Sequence, residues 1–113
     1  MSTSEMSEKK DLAPAPAAFD EFTKRFPKLG EAWALMAAAG GEGPLDLKTQ
    51  RLVKLAVAIG AMREGAVRSA VRKALAAGVE PGAIEQVVSL SASTVGLPSS
   101  VAIHTWMKSL LEK

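Results

Sequence analysis

Basic residues crowd the middle of the chain, and their charge and spacing are suited to binding an anion. Between residues 47 and 77, seven Lys or Arg residues stand against the single acidic Glu64, although the net charge of the whole chain is only +2. Four of them fall on one end and the outer face of a single predicted helix: Arg63, Arg68, Arg72 and Lys73. A helix face of this kind is able to meet phosphate groups.

A basic face also has a plainer explanation, which we favour over nucleic-acid binding. The face can be solvated, or its charges can pair with acidic residues of another helix or subunit, such as Glu21, Glu31 or Glu85. No aromatic residues are interleaved with the basic ones, and no helix-turn-helix spacing is present. Nucleic acid is therefore not expected as a partner.

The chain has no cysteine and one histidine, His104. The lack of cysteine excludes a thiol nucleophile, a thiolate zinc site and a dithiol redox cycle. A single imidazole excludes metal sites that need two or three histidines. We therefore predict neither a metal site nor another cofactor.

Helical spacing of the apolar residues predicts an all-α domain of five or six helices with no β-sheet. Asp46 is expected to cap a helix that runs to about Ala61. The next helix is predicted from Glu64 to Ala77, with Gly78 as the residue that ends it. Further helices are predicted on either side, the first from about Ala18 and the second over about 28–39. The basic residues therefore belong to consecutive helices.

Residues 1–17 differ in composition from the rest of the chain. They mix Ser, Glu and Lys with an APAPA run, which predicts a flexible N-terminal arm ahead of a single helical domain over 18–113. No segment has the apolar length of a signal peptide core or a membrane span. With no cysteine either, the predicted compartment is the cytoplasm.

The apolar content predicts self-association. Of the 48% of residues that are hydrophobic, twenty are alanine and only five are Phe or Trp, so one chain alone buries little apolar area. The last predicted helix, in contrast, is rich in large apolar residues. We expect a homo-oligomer that buries Trp106 or Trp33 between chains.

The stretch LDLKTQRLVKLAVAIGAMREGAVRSAVRKALAAGVEPGAIEQVVSLSA, residues 45–92, resembles the core of the carboxymuconolactone decarboxylase and alkyl hydroperoxidase D superfamily. That family has a segment of the form LDxKTxxLIxLAxA before a Cys-x-x-Cys-x-x-x-His helix start, then AL-x-AG-V and an acidic helix start. The resemblance extends over about residues 19–112. It implies the all-α alkyl hydroperoxidase D-like fold and an assembly of trimers, or of hexamers built from trimers.

The positions that carry the family's thiol chemistry are replaced in this chain. In the matching register, the two cysteines fall on Arg63 and Ala66, and the histidine falls on Ala70. The glutamate of the peroxidase branch falls on Arg51. A peroxide must be attacked by a low-pKa thiolate and the product resolved by a second thiol, so thiol peroxidase chemistry is excluded.

The decarboxylase branch of the family does not need cysteine. The resemblance implies cations that hold a carboxylated lactone and an acid that protonates the carbon losing carbon dioxide. Arg51 and Arg63 are the candidate ligand-binding residues, and His104 and Glu64 are the candidate catalytic residues. Alternatively, His104 is a packed, hydrogen-bonded residue, and Glu64 is an acidic first-turn residue favoured by the helix dipole.

Two functions remain open from the sequence. The first is the binding or transformation of a small carboxylate by a cysteine-less member of this family. The second is a non-catalytic, oligomeric accessory or interaction protein on the same fold. Charged groups gathered around a carboxylate would favour the first, and an apolar filling of the same space would favour the second.

Overall fold

The computed structural model describes residues 16–112, which form six helices and, within that range, no strand. The predicted all-α class is confirmed, as are the two consecutive helices over 46–61 and 64–77. None of the helices in this range is both long and apolar enough to cross a membrane. The helices are α1 (Pro16–Arg25), α2 (Pro27–Gly41), α3 (Leu47–Gly60), α4 (Glu64–Ala76), α5 (Pro81–Val95) and α6 (Leu97–Leu111).

Helices α3 and α4 form an antiparallel hairpin whose ends are fixed by local chemistry. The Asp46 side chain accepts a hydrogen bond from the Thr49 backbone N–H at 2.8 Å, which caps the start of α3 as predicted. The turn between the helices passes through Met62, with a φ of 55°. Gly78, with a φ of 89°, follows α4 in the left-handed region that a side chain disfavours.

The four helices α3 to α6 enclose the hydrophobic core, and each contributes buried residues. Helix α4 packs against both α3 and α6, and α5 packs against the same two helices. The thirteen buried apolar residues are Leu55, Ala58, Ile59, Val67, Val71, Ala74, Val79, Ile84, Val87, Val88, Ile103, Met107 and Leu110.

Helices α1 and α2 form a second hairpin that packs mainly on itself. The Phe22 and Phe26 rings lie 5.1 Å apart, and Gly30 allows α2 to approach Thr23 closely. No residue of α2 is buried. Helix α1 begins at Pro16, two residues before the predicted start, and α2 extends past both predicted ends. The predicted arm over 1–17 therefore lies outside the described residues except for its last two, which begin α1.

We expect Leu55→Ala to lower the free energy of unfolding by about 2–5 kcal/mol, because the side chain is fully buried in α3. The matched control is Leu97→Ala at the start of α6, where the side chain is 73% exposed and the expected change is within about 0.5 kcal/mol. Urea unfolding followed by circular dichroism measures both. Equal losses in the two variants would contradict this description of the core.

The Asp46 cap predicts a pH dependence of stability. Hydrogen bonding to Thr49 holds the pKa of the Asp46 carboxyl below its ordinary value, so the ionised form stabilises the fold. This contribution is present above about pH 4 and is lost as the pH falls through the lowered pKa. We expect the wild-type protein to have a higher free energy of unfolding than Asp46→Ala above that acidic range, and the difference to disappear within it. Asp46→Asn should retain a cap at every pH. A pH-independent difference between wild type and Asp46→Ala would contradict the assignment.

Candidate anion-binding site

The antiparallel pairing of α3 and α4 brings Arg51 and Lys54 of α3 near Lys73 of α4. Together with Arg72, which precedes Lys73, we call these side chains the basic cluster: Arg51, Lys54, Arg72 and Lys73. Arg51 and Lys54 lie one turn apart within the first eight residues of α3, and Arg72 and Lys73 lie in the last turns of α4. Burial and then the charges of Arg51, Lys54 and Arg72 lower the pKa of the Lys73 ammonium. The first part of α3 and the end of α4 are therefore close enough for the charges of Arg51 and Lys54 to repel that of Lys73.

Two guanidinium groups of the basic cluster have a buried nitrogen without a hydrogen-bond partner. These atoms are Nε of Arg51 and Nε of Arg72, and both residues are half-buried. Burial, together with the charge of Arg68, lowers the pKa of Arg72. Arginine does not lose its proton in proteins, so a buried guanidinium N–H must find an acceptor to offset its desolvation. An anion supplies such an acceptor.

The basic cluster has no acidic partner within the part of the chain that the structure describes. In that range, His104 Nε2 lies 3.6 Å from Glu85 Oε2, and Lys108 Nζ lies 4.0 Å from Glu112 Oε1. Glu85, which was one of the acidic residues expected to answer the basic face, is thus directed to the histidine instead. The positive charge of the cluster remains uncompensated by this range of the chain.

An aromatic ring from the other hairpin lies beside the basic cluster. The Lys73 Nζ atom is 5.9 Å from the centroid of the Trp33 ring in α2. This is within the distance at which a cation is attracted to the face of an indole. Trp33 is about half exposed, so it shields one side of Lys73 and leaves the site open to solvent.

Arg68 belongs to the same face of α4 but has a structural role. Its Nη1 atom donates a hydrogen bond of 2.6 Å to the backbone carbonyl of Trp106 in α6. The bond ties α4 to α6 between residues 38 positions apart. Arg68 is therefore committed to a contact between helices, in contrast to Arg51 and Arg72.

The structure does not bring the two candidate ligand-binding arginines together. The Arg63 backbone N–H lies 3.4 Å from the carbonyl of Ala58, which follows Arg51 by seven residues, or about 10 Å along α3. Arg63 and Glu64 are exposed at the turn end of the hairpin, and Arg51 is at its open end. A single small carboxylate cannot bridge these ends.

The other candidate positions are also spread over the surface. His104 pairs with Glu85, and both side chains are about half exposed, so the histidine is neither a core residue nor part of the basic cluster. Ala66, in the position of the second family cysteine, is exposed near the start of α4. Ala70, in the position of the family histidine, is half-buried one turn before Lys73. Within residues 16–112, no three His, Asp or Glu residues come together as a metal site requires.

A separate groove runs between α3 and α5 and has a volume of about 390 Å³. Its lining is largely apolar with three hydroxyl groups, and none of its side chains is ionisable. This composition suits an apolar group and does not suit a free anion. The lining residues are Thr49, Leu52, Val53, Ala56, Gly60, Val87, Leu90, Ser91, Thr94 and Val95.

The spacing of Arg72 and Lys73 along the chain predicts a basic face but does not join them to Arg51 and Lys54. The missing step was the pairing of the two helices. Once α3 and α4 are predicted as consecutive helices with a short turn, the start of the first must lie beside the end of the second. That relation was available as a signal in the sequence.

Comparison with known proteins gives one match. A sequence model described as the Carboxymuconolactone decarboxylase family matches residues 27–109, which is most of the chain and includes α2 and nearly all of α6. No curated protein and no solved structure matches the chain.

Proposed function

The chain belongs to the carboxymuconolactone decarboxylase family, and from the basic cluster we propose that it binds a small carboxylate between α3 and α4. The observation that carries this proposal is the pair of buried, unpartnered Nε atoms on Arg51 and Arg72. Each is a donor that lacks an acceptor, and each belongs to a group that stays charged at any physiological pH.

A carboxylate would supply both the hydrogen-bond acceptors and the negative charge that this site lacks. Its two oxygens accept hydrogen bonds from guanidinium N–H groups, often as a bidentate pair, and such charge-assisted bonds are about twice as strong as neutral ones. Its negative charge also relieves the repulsion among Arg51, Lys54, Arg72 and Lys73. The half-buried position weakens screening by salt relative to a fully exposed patch.

The proposed function does not include the thiol chemistry of the family, since the chain has no cysteine. The proposed ligand lies away from Arg63 and Glu64, which are at the turn between α3 and α4. Of the residues expected from the sequence to bind the ligand, the proposed site keeps Arg51 and adds basic residues from the end of α4. Whether the bound carboxylate is transformed depends on a group that can react with it beside Arg51.

We further propose that the protein is a homo-oligomer, as a trimer or a hexamer. The support is the apolar surface that a single chain leaves in water, since seven large side chains of the α1–α2 hairpin are 43–71% exposed. Soluble monomers seldom leave large apolar patches open to water. The same observation favours the second candidate function, an accessory protein that uses its apolar faces for contacts. The exposed residues of the hairpin are Phe19, Phe22, Phe26, Leu29, Trp33, Leu35 and Met36.

We expect Arg51→Ala to weaken the binding of succinate by about 1–3 kcal/mol, or roughly 5- to 150-fold in Kd, because the variant removes a charge-assisted contact. The matched control is Arg25→Ala, which removes an exposed arginine at the end of α1. Isothermal titration calorimetry at two salt concentrations measures the affinity, and circular dichroism checks that each variant is folded.

Arg63→Ala distinguishes the two ends of the α3–α4 hairpin. Binding by the basic cluster predicts an affinity close to that of the wild type, because Arg63 is too far from Arg51 to share the ligand. A loss confined to Arg63→Ala would place the anion at the turn and contradict the proposed site. Unchanged affinity for succinate in both Arg51→Ala and Arg63→Ala would contradict carboxylate binding at either end and favour the accessory function.

The proposed assembly predicts a mass in solution well above the 11.8 kDa of one chain. Light scattering at micromolar concentration should give a multiple of three chains. Leu35→Glu, which puts a charge on the exposed face of α2, should lower that mass, because a buried charge without a partner is costly. A folded wild-type protein with the mass of a single chain would contradict the proposal.

A further inference from the structure

The groove between α3 and α5 is an apolar surface that no other segment of the described chain covers. Its ten lining residues all belong to these two helices, and none comes from the α1–α2 hairpin or from α6. Val53 on the α3 side and Leu90 on the α5 side are 47% and 69% exposed. Removal of such side chains from water is favourable, so the groove favours an apolar occupant.

The length and lining of the groove suit a helix. The lining residues of α3 recur at helical spacing from Thr49 to Gly60, which is about 16 Å along the helix axis. Ala56, Gly60 and Ser91 are small, and no atom of another helix lies within 4 Å of the place that a Cβ atom of Gly60 would take. A depression lined by small residues between two helices accepts the large side chains of a third helix.

Helix α2 presents the complementary surface. Leu29 and Met36 lie two turns apart on one face, about 10 Å along the axis, and both are more than half exposed. Trp33 borders the same face, with its ring beside Lys73 of its own chain. Helix α2 has 15 residues and buries none of them, so it is long enough for the groove and its large side chains are free to enter it.

The exposed apolar area of the α1–α2 hairpin is close to what a stable interface requires. Its four aromatic residues are about half exposed and each has roughly 150–250 Å² of surface, so with Leu29, Leu35 and Met36 the hairpin presents on the order of 700 Å². A standard interface buries about 800 Å² on each partner. Helix α2 supplies only part of this area, so α1 is expected to pack beside the groove.

Two other arrangements fit these surfaces less well. A groove placed against the same groove of a second copy would bring two concave surfaces together and leave space without contacts. The hairpin of the same chain does not line the groove, and its Trp33 lies beside Lys73 of α4 instead. A second copy supplies the hairpin without either difficulty.

We propose that α2 of one copy lies in the α3–α5 groove of a second copy, with Leu29 and Met36 toward the lining. This inference rests on the proposed homo-oligomer and adds the two surfaces that meet. Because these surfaces differ, the contact is heterologous, and its repetition can close into a ring. A trimer is such a ring, whereas a contact of one surface with itself joins only two chains.

The lack of cysteine allows a direct test by cross-linking, because every thiol in a variant is then an introduced one. Met36→Cys and Leu90→Cys replace exposed side chains in α2 and α5. The full-length double variant, treated with a short bismaleimide and separated on a denaturing gel, should give bands up to a covalent trimer. The matched control joins Met36→Cys to Lys108→Cys, which is similarly exposed but lies on α6 outside the groove, and it should give no such bands.

The single variants distinguish the possible arrangements. Neither Met36→Cys nor Leu90→Cys alone should cross-link, and the two variants co-expressed should give a covalent dimer. A cross-linked dimer from Leu90→Cys alone would place groove against groove and overturn the proposal. Bridges formed only within single chains of the double variant would show that the hairpin covers its own groove, which would overturn the proposal as well.

A charge in the groove tests the contact without a reagent. We expect Ala56→Glu to raise the concentration at which the assembly is half dissociated by about tenfold or more, because a carboxylate buried without a partner is costly. The matched control is Ala76→Glu, the same change at an exposed position at the end of α4. Light scattering over a dilution series measures both variants, and circular dichroism checks that each is folded. Equal effects of the two substitutions would overturn the proposal.

The mass of the wild-type protein separates this inference from the proposed oligomer on which it rests. An oligomeric wild type whose double variant gives no cross-link between Cys residues at positions 36 and 90 would overturn this contact and leave the assembly intact. A wild type with the mass of one chain would overturn both together. An oligomer with the expected cross-link would support both.

Discussion

The antiparallel closure of α3 on α4 is the constraint from which the rest of the molecule follows. Burial of Leu55, Ile59, Val67 and Val71 holds the two helices against each other. Once the two helices are paired, the basic residues in the first part of α3 lie beside those at the end of α4. The apolar contacts thus hold in place an arrangement of charges that would be unfavourable by itself.

Much of the fold was predictable from local chemistry. Asp46 caps a helix because its side chain accepts from a backbone N–H three residues on, and Gly78 ends one because it tolerates a positive φ. The composition of the site was harder to predict. Partners such as His104 with Glu85, or Lys73 with Trp33, come from different helices, and no spacing along the chain encodes which helix faces which.

The family resemblance predicted the all-α fold correctly. It directed attention to Arg63 and Ala66, which replace the cysteines, yet these positions lie at the exposed turn. The polar groups with unmet hydrogen bonds lie at the other end, at Arg51 and Arg72.

The contact of Trp33 with Lys73 gives the site its own optical reporter. The chain has only two tryptophans, and indole emission responds to charge and hydration within a few ångströms of the ring. Trp106 also lies near the basic helix, through its backbone carbonyl and Arg68, but its environment is set by the packing of α6. Binding of an anion at the proposed site should therefore change the emission of Trp33, which can be recorded without a label.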